Sequence, residues 1–292
     1  MSDSRTPKTY PFNGVTPAAA KPANSDLLFE VDGAIARITL NRPEKLNALT
    51  IQMMSDLSMA LDYVHETPSI KVLLLTGAGD KAFSVGFDLD GLEMPSNTRD
   101  VIRSTERNFN ILMKIWNLRV PVIASVPGHA IAAGSNMAMI CDVVVASSKA
   151  TFGEPEVRHV ALSPLLLMPW FGNNSKRTTY LYLSGDTIKA DEALSLGLIS
   201  SVVAPEDLER ESMRLAHRLA LVPSISAELT KESIRRVREI QGFTSSLQQH
   251  RMIDTLALDS VGIPERDHFF DLMKSGDMRA FLTERDGPFK DQ

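Results

Sequence analysis

Between Leu27 and Val203, short runs of β-branched and apolar residues alternate with stretches of helical period; after Pro205 only helical periods remain. That order leaves few folds open, because strands separated by helix-length crossovers need helices laid over the faces of the sheet they build. The stretch LLFEVDGAIARITL alternates apolar and polar residues around Asp32 and Gly33, and so reads as a hairpin of two strands joined by a tight turn. Lys71–Thr76, Val120–Val126 and Val143–Ala146 read as buried strands. Thr50 is placed to cap a helix whose apolar side carries Met53, Met54, Leu57, Leu61 and Val64, and which Pro68 ends. A second helix over Thr98–Asn117 carries Ile102, Phe109, Leu112, Met113 and Trp116 on one side, while Pro223, Gly242 and Pro264 punctuate the helices of the last third. The predicted organisation is an α/β core over 27–204 followed by a helical region over 205–292. Residues 1–26 hold Pro7, Pro11, Pro17 and Pro22 among Ala, Ser, Thr and Lys, too little apolar surface to order, and read as a flexible arm.

Composition narrows the function classes. A chain of 292 residues with 43% hydrophobic content can bury one generous core with a helical appendage. A net charge of −5, with Lys and Arg scattered among acids, offers no basic stripe, so nucleic acid is not expected as a partner. No stretch approaches the roughly 18 to 20 apolar residues that cross a bilayer, and the first residues lack the apolar run of a secretory signal. A cytoplasmic protein without membrane contact is the expectation. The single cysteine, Cys141, lies beside an apolar run and reads as core filler. The six histidines, at 65, 129, 159, 217, 250 and 268, show no ligand spacing, so no metal site is expected.

Two segments carry signs of chemistry. KAFSVGFDL follows a strand and the turn TGAGD, and puts Gly86 where backbone must pass close to something. PGHAIAAGSNMAMICD, Pro127–Asp142, leads a strand exit of small residues into an apolar helix. Small residues at a helix start let backbone N–H groups approach a ligand oxygen, and the helix dipole favours negative charge there. Taken singly, either segment reads first as a tightly packed turn without a ligand.

Together with NRPEKLNAL (Asn41–Leu49), FGEPE (Phe152–Glu156), SGDTIKADEALSLGLISSVV (Ser184–Val203) and AFLTERDGPFKD (Ala280–Asp291), these segments resemble the crotonase, or enoyl-CoA hydratase/isomerase, superfamily from Leu27 to the C-terminus. The resemblance implies a spiral of ββα units, a C-terminal helical region that helps cover an acyl pocket, and assembly into homotrimers or dimers of trimers. It also implies an acyl-CoA substrate, with coenzyme A arriving as part of that substrate and no tightly bound cofactor. By motif, the backbone N–H groups of Phe87 and Ala133 would form an oxyanion hole, each donor lowering the barrier by roughly 3 to 4 kcal/mol. Gly86, Asp88 and Leu89 belong to the loop where family members hold the adenine ring, and Lys45 matches the position that approaches the CoA phosphates.

The sequence also departs from the family pattern. Family hydratases share one water between two glutamates; here the first position is Asn136 and the second is Glu156. An amide orients water but cannot accept a proton as a general base does, which weighs against two-carboxylate hydration. Glu156 is therefore the expected acid/base, with Asn136 beside it; Glu154 shares its face if the segment is extended, and His159, titrating near neutrality, is a reserve candidate. Where the family commonly has glycines, ALSPLLLMPWFG brings Leu165, Leu166, Leu167 and Met168, either as a reshaped apolar pocket or as ordinary helix core. With Trp170 and Phe171 nearby, the first option favours a hydrophobic or cyclic acyl group. The leading expectation is a CoA-thioester enzyme working through an enolate with one-base proton transfer by Glu156, a double-bond isomerase before a hydratase. The alternatives are a carbon–carbon bond hydrolase acting on a β-diketone or other non-CoA substrate, and a catalytically silent homologue serving as a binding or structural subunit.

Overall fold

The computed structural model describes residues 26–89 and 97–290, so the arm read over residues 1–26 lies, except for Asp26, outside the described residues. The chain builds pairs of strands, each pair followed by a helix. The hairpin of β1 (Leu27–Asp32) and β2 (Ile35–Leu40) pairs antiparallel, Leu27 opposite Leu40, and leads into α1 (Ile51–Glu66). Thr50 caps α1 by accepting the Met53 N–H at 3.0 Å. Next come β3 (Val72–Gly77), β4 (Ala82–Ser84) and α2 (Thr98–Asn117), which Asn97 caps through the Asp100 N–H. Ile102 departs from the expected buried side of α2, being 42% exposed, because Val101 and Thr105 take the inward positions of that turn. The third unit is β5 (Val122–Val126), β6 (His129–Ile131) and α3 (Ala133–Met139). The fourth holds β7 (Val143–Ser147) and β8 (Thr151–Gly153), then the short α4 (Met168–Phe171) and α5 (Ser175–Ser184). β9 (Thr187–Lys189), α6 (Ala190–Ser195) and β10 (Ser201–Val203) close the core.

Both strands of the first hairpin and the first strands of the later pairs join one six-stranded sheet, in the order β1-β2-β3-β5-β7-β10, parallel from β2 onward. The short second strands form a separate sheet, β4-β6-β8-β9, in which only β9 runs antiparallel. Each turn of the chain thus advances both sheets by one strand, which is the spiral of ββα units expected from the family resemblance. Strands covered on both faces carry apolar side chains on both. Leu73 and Leu75 of β3 face the main core, and Val72 and Leu74 point to the opposite side.

That opposite side is covered by α7 (Leu208–Ala220), whose Leu208 and Ala216 pack on Ile35, Val72, Leu74, Ile123 and Val145. A boundary drawn at residue 204 therefore passes between a sheet and the helix that completes its burial. Beyond α7 the chain is helical throughout: α8 (Ser224–Ile240), α9 (Phe243–Leu258), α10 (Pro264–Ser275) and α11 (Met278–Asp286). α8 is anchored by Lys231, buried, whose Nζ lies 2.6 Å from Asp142 Oδ2 and 2.9 Å from the Val120 carbonyl oxygen. Phe270, Met273 and Phe281 of α10 and α11 form a small core of their own with Leu89 at its margin. Among the described residues no helix is long and apolar enough to cross a membrane.

Candidate active site

The site begins where the ends of β4 and β6 meet. Asn47, fully buried, donates to the carbonyls of Ala78 (3.0 Å) and Ala82 (2.8 Å) and accepts the Arg42 N–H (2.9 Å), fixing the Asn41–Leu49 loop against the turn that enters β4. Ser84 ties the same two segments by donating to the Asn47 carbonyl at 2.8 Å. Gly86 follows with φ +92°, and a Cβ there would stand 2.7 Å from the Ala132 Cβ and 3.2 Å from the Ala133 nitrogen. Only glycine fits both demands. The two small-residue segments picked out in the sequence are therefore in direct contact.

On the other side of that contact Ala132 adopts φ +56°, ψ −133°, a conformation unfavourable for a residue with a Cβ. Its own N–H is held by the Gly153 carbonyl at 2.8 Å. The bend starts α3 at Ala133, whose N–H, as the first of a helix, has no carbonyl of its own helix to meet. Around Phe87, Leu49 N–H bonds the Gly86 carbonyl (2.8 Å) and Asp88 N–H bonds the Leu49 carbonyl (3.0 Å). Among the described residues no acceptor meets the N–H of Phe87 or of Ala133.

A cavity of about 810 Å³ opens there, with Phe87, Ala132, Glu156, His159, Asp254 and Arg285 in its wall. Glu156 stands on a 3-10 turn, Pro155–His159, which replaces the extended segment considered from sequence. It is 8% exposed, and its Oε2 has no hydrogen-bond partner. Burial pushes its pKa up to about 7, with the Asp254 charge adding to the rise and Arg285 opposing it. A carboxyl group so tuned can take and return a proton near neutrality. Asp88 and Leu89 also reach the cavity, Asp88 while paired with Arg42 Nη1 at 2.6 Å. Lys45 ends an exposed 3-10 turn, Pro43–Lys45, outside the cavity wall.

Several expectations need correction. Asn136 is fully buried behind the cavity: its Nδ2 donates to Glu154 Oε1 (2.9 Å), and its Oδ1 accepts from Ser163 Oγ and the Leu165 N–H, both at 2.8 Å. An amide so engaged has no oxygen left to orient a water in the cavity. Glu154 lies on that same inner wall, where burial and then the Glu156 charge push its pKa well up. His159 does reach the cavity, but burial, reinforced by the Arg285 charge, lowers its pKa to about 3. It stays neutral at pH 7, packed edge-on against Phe281 at 5.3 Å between ring centres, and is no longer a reserve acid/base. Leu165, Leu167 and Met168 belong to the main core, and Trp170 and Phe171 pack around Phe243. The cavity is bounded instead by Ala161, Leu162 and Pro164 of that segment, so the bulky run does not line it.

A model of the family described as enoyl-CoA hydratase/isomerase matches residues 30–290. The chain belongs to the enoyl-CoA hydratase/isomerase family. It is 31% identical over 225 residues to the short-chain-enoyl-CoA hydratase of Clostridium acetobutylicum, covering 73% of this chain and 82% of that one. It is 34% identical over 210 residues to the (E)-benzylidenesuccinyl-CoA hydratase of Thauera aromatica, covering 70% and 80%. The crystal structure of an enoyl-CoA hydratase/isomerase from Xanthobacter autotrophicus Py2 superposes with a TM-score of 0.84 at 31% identity, over 91% of this chain and 98% of that one. The chain is thus an enzyme of the enoyl-CoA hydratase/isomerase type with the crotonase fold.

Sequence reading missed the cavity residues supplied by α9 and α11: Arg251, Asp254 and Arg285. The available signal was Asp254 itself, the one charged residue in the run Met252–Leu258. Among the described residues no cluster of three or more His, Cys, Asp or Glu is placed to hold a metal ion.

Proposed function

We propose that this chain binds an acyl-CoA thioester in the 810 Å³ cavity, sets its carbonyl oxygen against the N–H groups of Phe87 and Ala133, and moves protons with Glu156. The reading is carried by one juxtaposition: Phe87 and Ala133, whose N–H groups meet no acceptor among the described residues, follow directly on Gly86 and Ala132 where those two residues touch, and the cavity that Phe87 and Ala132 line is also lined by the buried Glu156. The N–H pair stabilises the oxyanion that forms as the α-proton leaves. Asp88, Leu89 and Lys45 are proposed for the CoA portion.

Of the two carboxylate positions used by family hydratases only Glu156 is retained, and the Asn136 amide is committed to Glu154, Ser163 and Leu165. We therefore favour a shift of a double bond from the 3- to the 2-position of the acyl chain over hydration. Hydration is the second reading, supported by relatives named as hydratases at 31–34% identity. Turnover of matched 2-enoyl- and 3-enoyl-CoA thioesters tests both: conversion of 3-enoyl substrates faster than hydration of 2-enoyl ones supports the first reading, and the reverse order sinks it.

Assembly into trimers or pairs of trimers is proposed as well. It is supported by apolar side chains left exposed along α8, among them Ile225, Leu229 and Ile240, more than a monomer needs to show. A monomeric mass by light scattering would remove it.

A further inference from the structure

Besides Glu156, Asp88 and Asp100, the cavity wall carries a further carboxylate, at a position to which none of the motifs points. Asp254 projects from α9 and is 6% exposed, in the same cavity wall as Glu156. One turn earlier on the same face, His250 Nε2 lies 2.7 Å from the Ser163 carbonyl oxygen, and Asp254 Oδ1 accepts the Leu162 N–H at 3.1 Å. α9 thereby clamps residues 162 and 163, and a single oxygen of Asp254 suffices for its share of the clamp. Oδ2 has no hydrogen-bond partner among the described residues, and no cation forms an ion pair with either Asp254 or Glu156 there. Of the wall's cations, Arg285 is bonded to Asp286 at 2.8 and 2.9 Å, and Arg251, three residues before Asp254 on α9, lies over the Phe109 ring at 5.9 Å. A carboxylate serving only as a clamp needs neither a cavity in front of it nor a second carboxylate beside it.

We propose that Asp254 is a second catalytic acid/base of this site, exchanging the proton at the γ-carbon while Glu156 works at the α-carbon. The inference rests on the reading of Glu156 as the α-proton base. With a 3-enoyl thioester, the Glu156 carboxylate takes the C2 proton, and the electrons of that C–H bond form a C1–C2 double bond as the carbonyl oxygen becomes an oxyanion between Phe87 and Ala133. The oxyanion then re-forms the carbonyl, the C1–C2 π electrons move to C2–C3, and the C3–C4 π electrons take a proton from the Asp254 carboxyl group at C4. Glu156 finishes protonated and Asp254 ionised, and one proton exchanged through water restores both. Two buried carboxyl groups in one cavity share protons in this way because ionising the first makes ionising the second harder. Burial pushes the pKa of each to about 7, so a state with one ionised and one protonated is well populated at neutrality.

The test is turnover of 3-hexenoyl-CoA in D2O, with deuterium at C4 of the 2-hexenoyl product read by mass spectrometry at low conversion. The wild-type enzyme is expected to place solvent deuterium at C4 in nearly every product molecule, because the Asp254 proton equilibrates with water before each turnover. Asp254→Asn keeps an oxygen for the Leu162 N–H but cannot donate, so kcat should fall on the order of 100-fold with KM little changed. Its residual product should retain the substrate's own proton, returned by Glu156. Asp254→Glu should recover part of both the rate and the label. Wild-type product that keeps protium at C4, or Asp254→Asn with wild-type rate and label, overturns the proposal. Glu156→Gln run alongside separates the failures: if it keeps full turnover, the underlying base assignment is wrong, whereas if it alone is inactive, only the role of Asp254 is. Melting curves for each variant show whether a lost rate reflects lost structure, and a folded Asp254→Glu without recovery also counts against the proposal.

Discussion

Under α8 the Lys231 ammonium sits 2.6 Å from Asp142 and 2.9 Å from the Val120 carbonyl, whereas in the cavity Glu156 and Asp254 lie buried with no cation bonded to either among the described residues. Both places take charge out of water, a step costing several kcal/mol per ion unless something answers it. At Lys231 a fixed partner answers it: burial still lowers the ammonium pKa, but Asp142 acts against that fall and also accepts the Val122 N–H at 2.7 Å. Nothing there remains for a ligand. At Glu156 and Asp254 burial outweighs what opposes it, a backbone hydrogen bond and the Arg285 charge at the first and the Leu162 N–H at the second, and pushes both carboxyl groups up to about 7. The difference separates a structural anchor from a reactive site more sharply than burial alone, since Glu154 is as deeply buried as Glu156 yet faces Asn136 rather than the cavity.

The widest gap between the two places should appear in turnover. Glu156→Gln keeps the shape and removes the base, so kcat on the preferred enoyl-CoA should drop about 10²- to 10⁴-fold while the melting temperature does not fall. A variant with near-normal turnover would break the distinction. The converse substitution, Lys231→Met, leaves the Asp142 carboxylate half-buried without its cation, and should cost about 3 to 5 kcal/mol of stability in urea unfolding. Its kcat, measured while folded, should stay close to wild type. If Lys231→Met proved neutral in stability, the anchor would be no anchor.

Much of this was legible in the sequence wherever the cause is local. The bounds of α2 follow from helical spacing between Asn97 and Leu118, and Gly86 announces a close approach because no other residue fits there. Side-chain direction was not legible where distant segments decide it. The run Leu165–Met168 read as a pocket wall or as ordinary core, and nothing local decides between them; with Leu162, 92 residues from Asp254, held by that side chain, Leu165, Leu167 and Met168 lie in the core. His159 looked like a group titrating near neutrality, and its packing against Phe281 removed the solvation that assumption needs. Asp254 carried no motif, because its meaning comes from the groove into which α9 packs.

The pH profile sharpens the comparison next. If the reaction needs ionised Glu156, kcat/KM should fall about tenfold per pH unit as pH drops below about 7, near the value set by burial. A limb centred near 4.5, the ordinary glutamate value, would show a solvated carboxylate and an open site.

The smallest effect expected is on stability, and its sign is opposite to that at Lys231. The folded state holds Glu156 at about 7, above the 4.5 of an exposed glutamate, so it binds the proton more tightly than the unfolded chain does. The stabilising contribution of that proton is full below about 4.5 and disappears as pH rises through 7. Above pH 7 the enzyme therefore carries an ionised, buried carboxylate that Gln does not have. Glu156→Gln should accordingly gain on the order of 1 to 3 kcal/mol over wild type at pH 8, and nothing of that kind at pH 4.5. Melting curves at the two pH values check it. A difference independent of pH would mean that the Glu156 carboxyl is solvated or paired when folded, and that the contrast with Lys231 has no energetic basis.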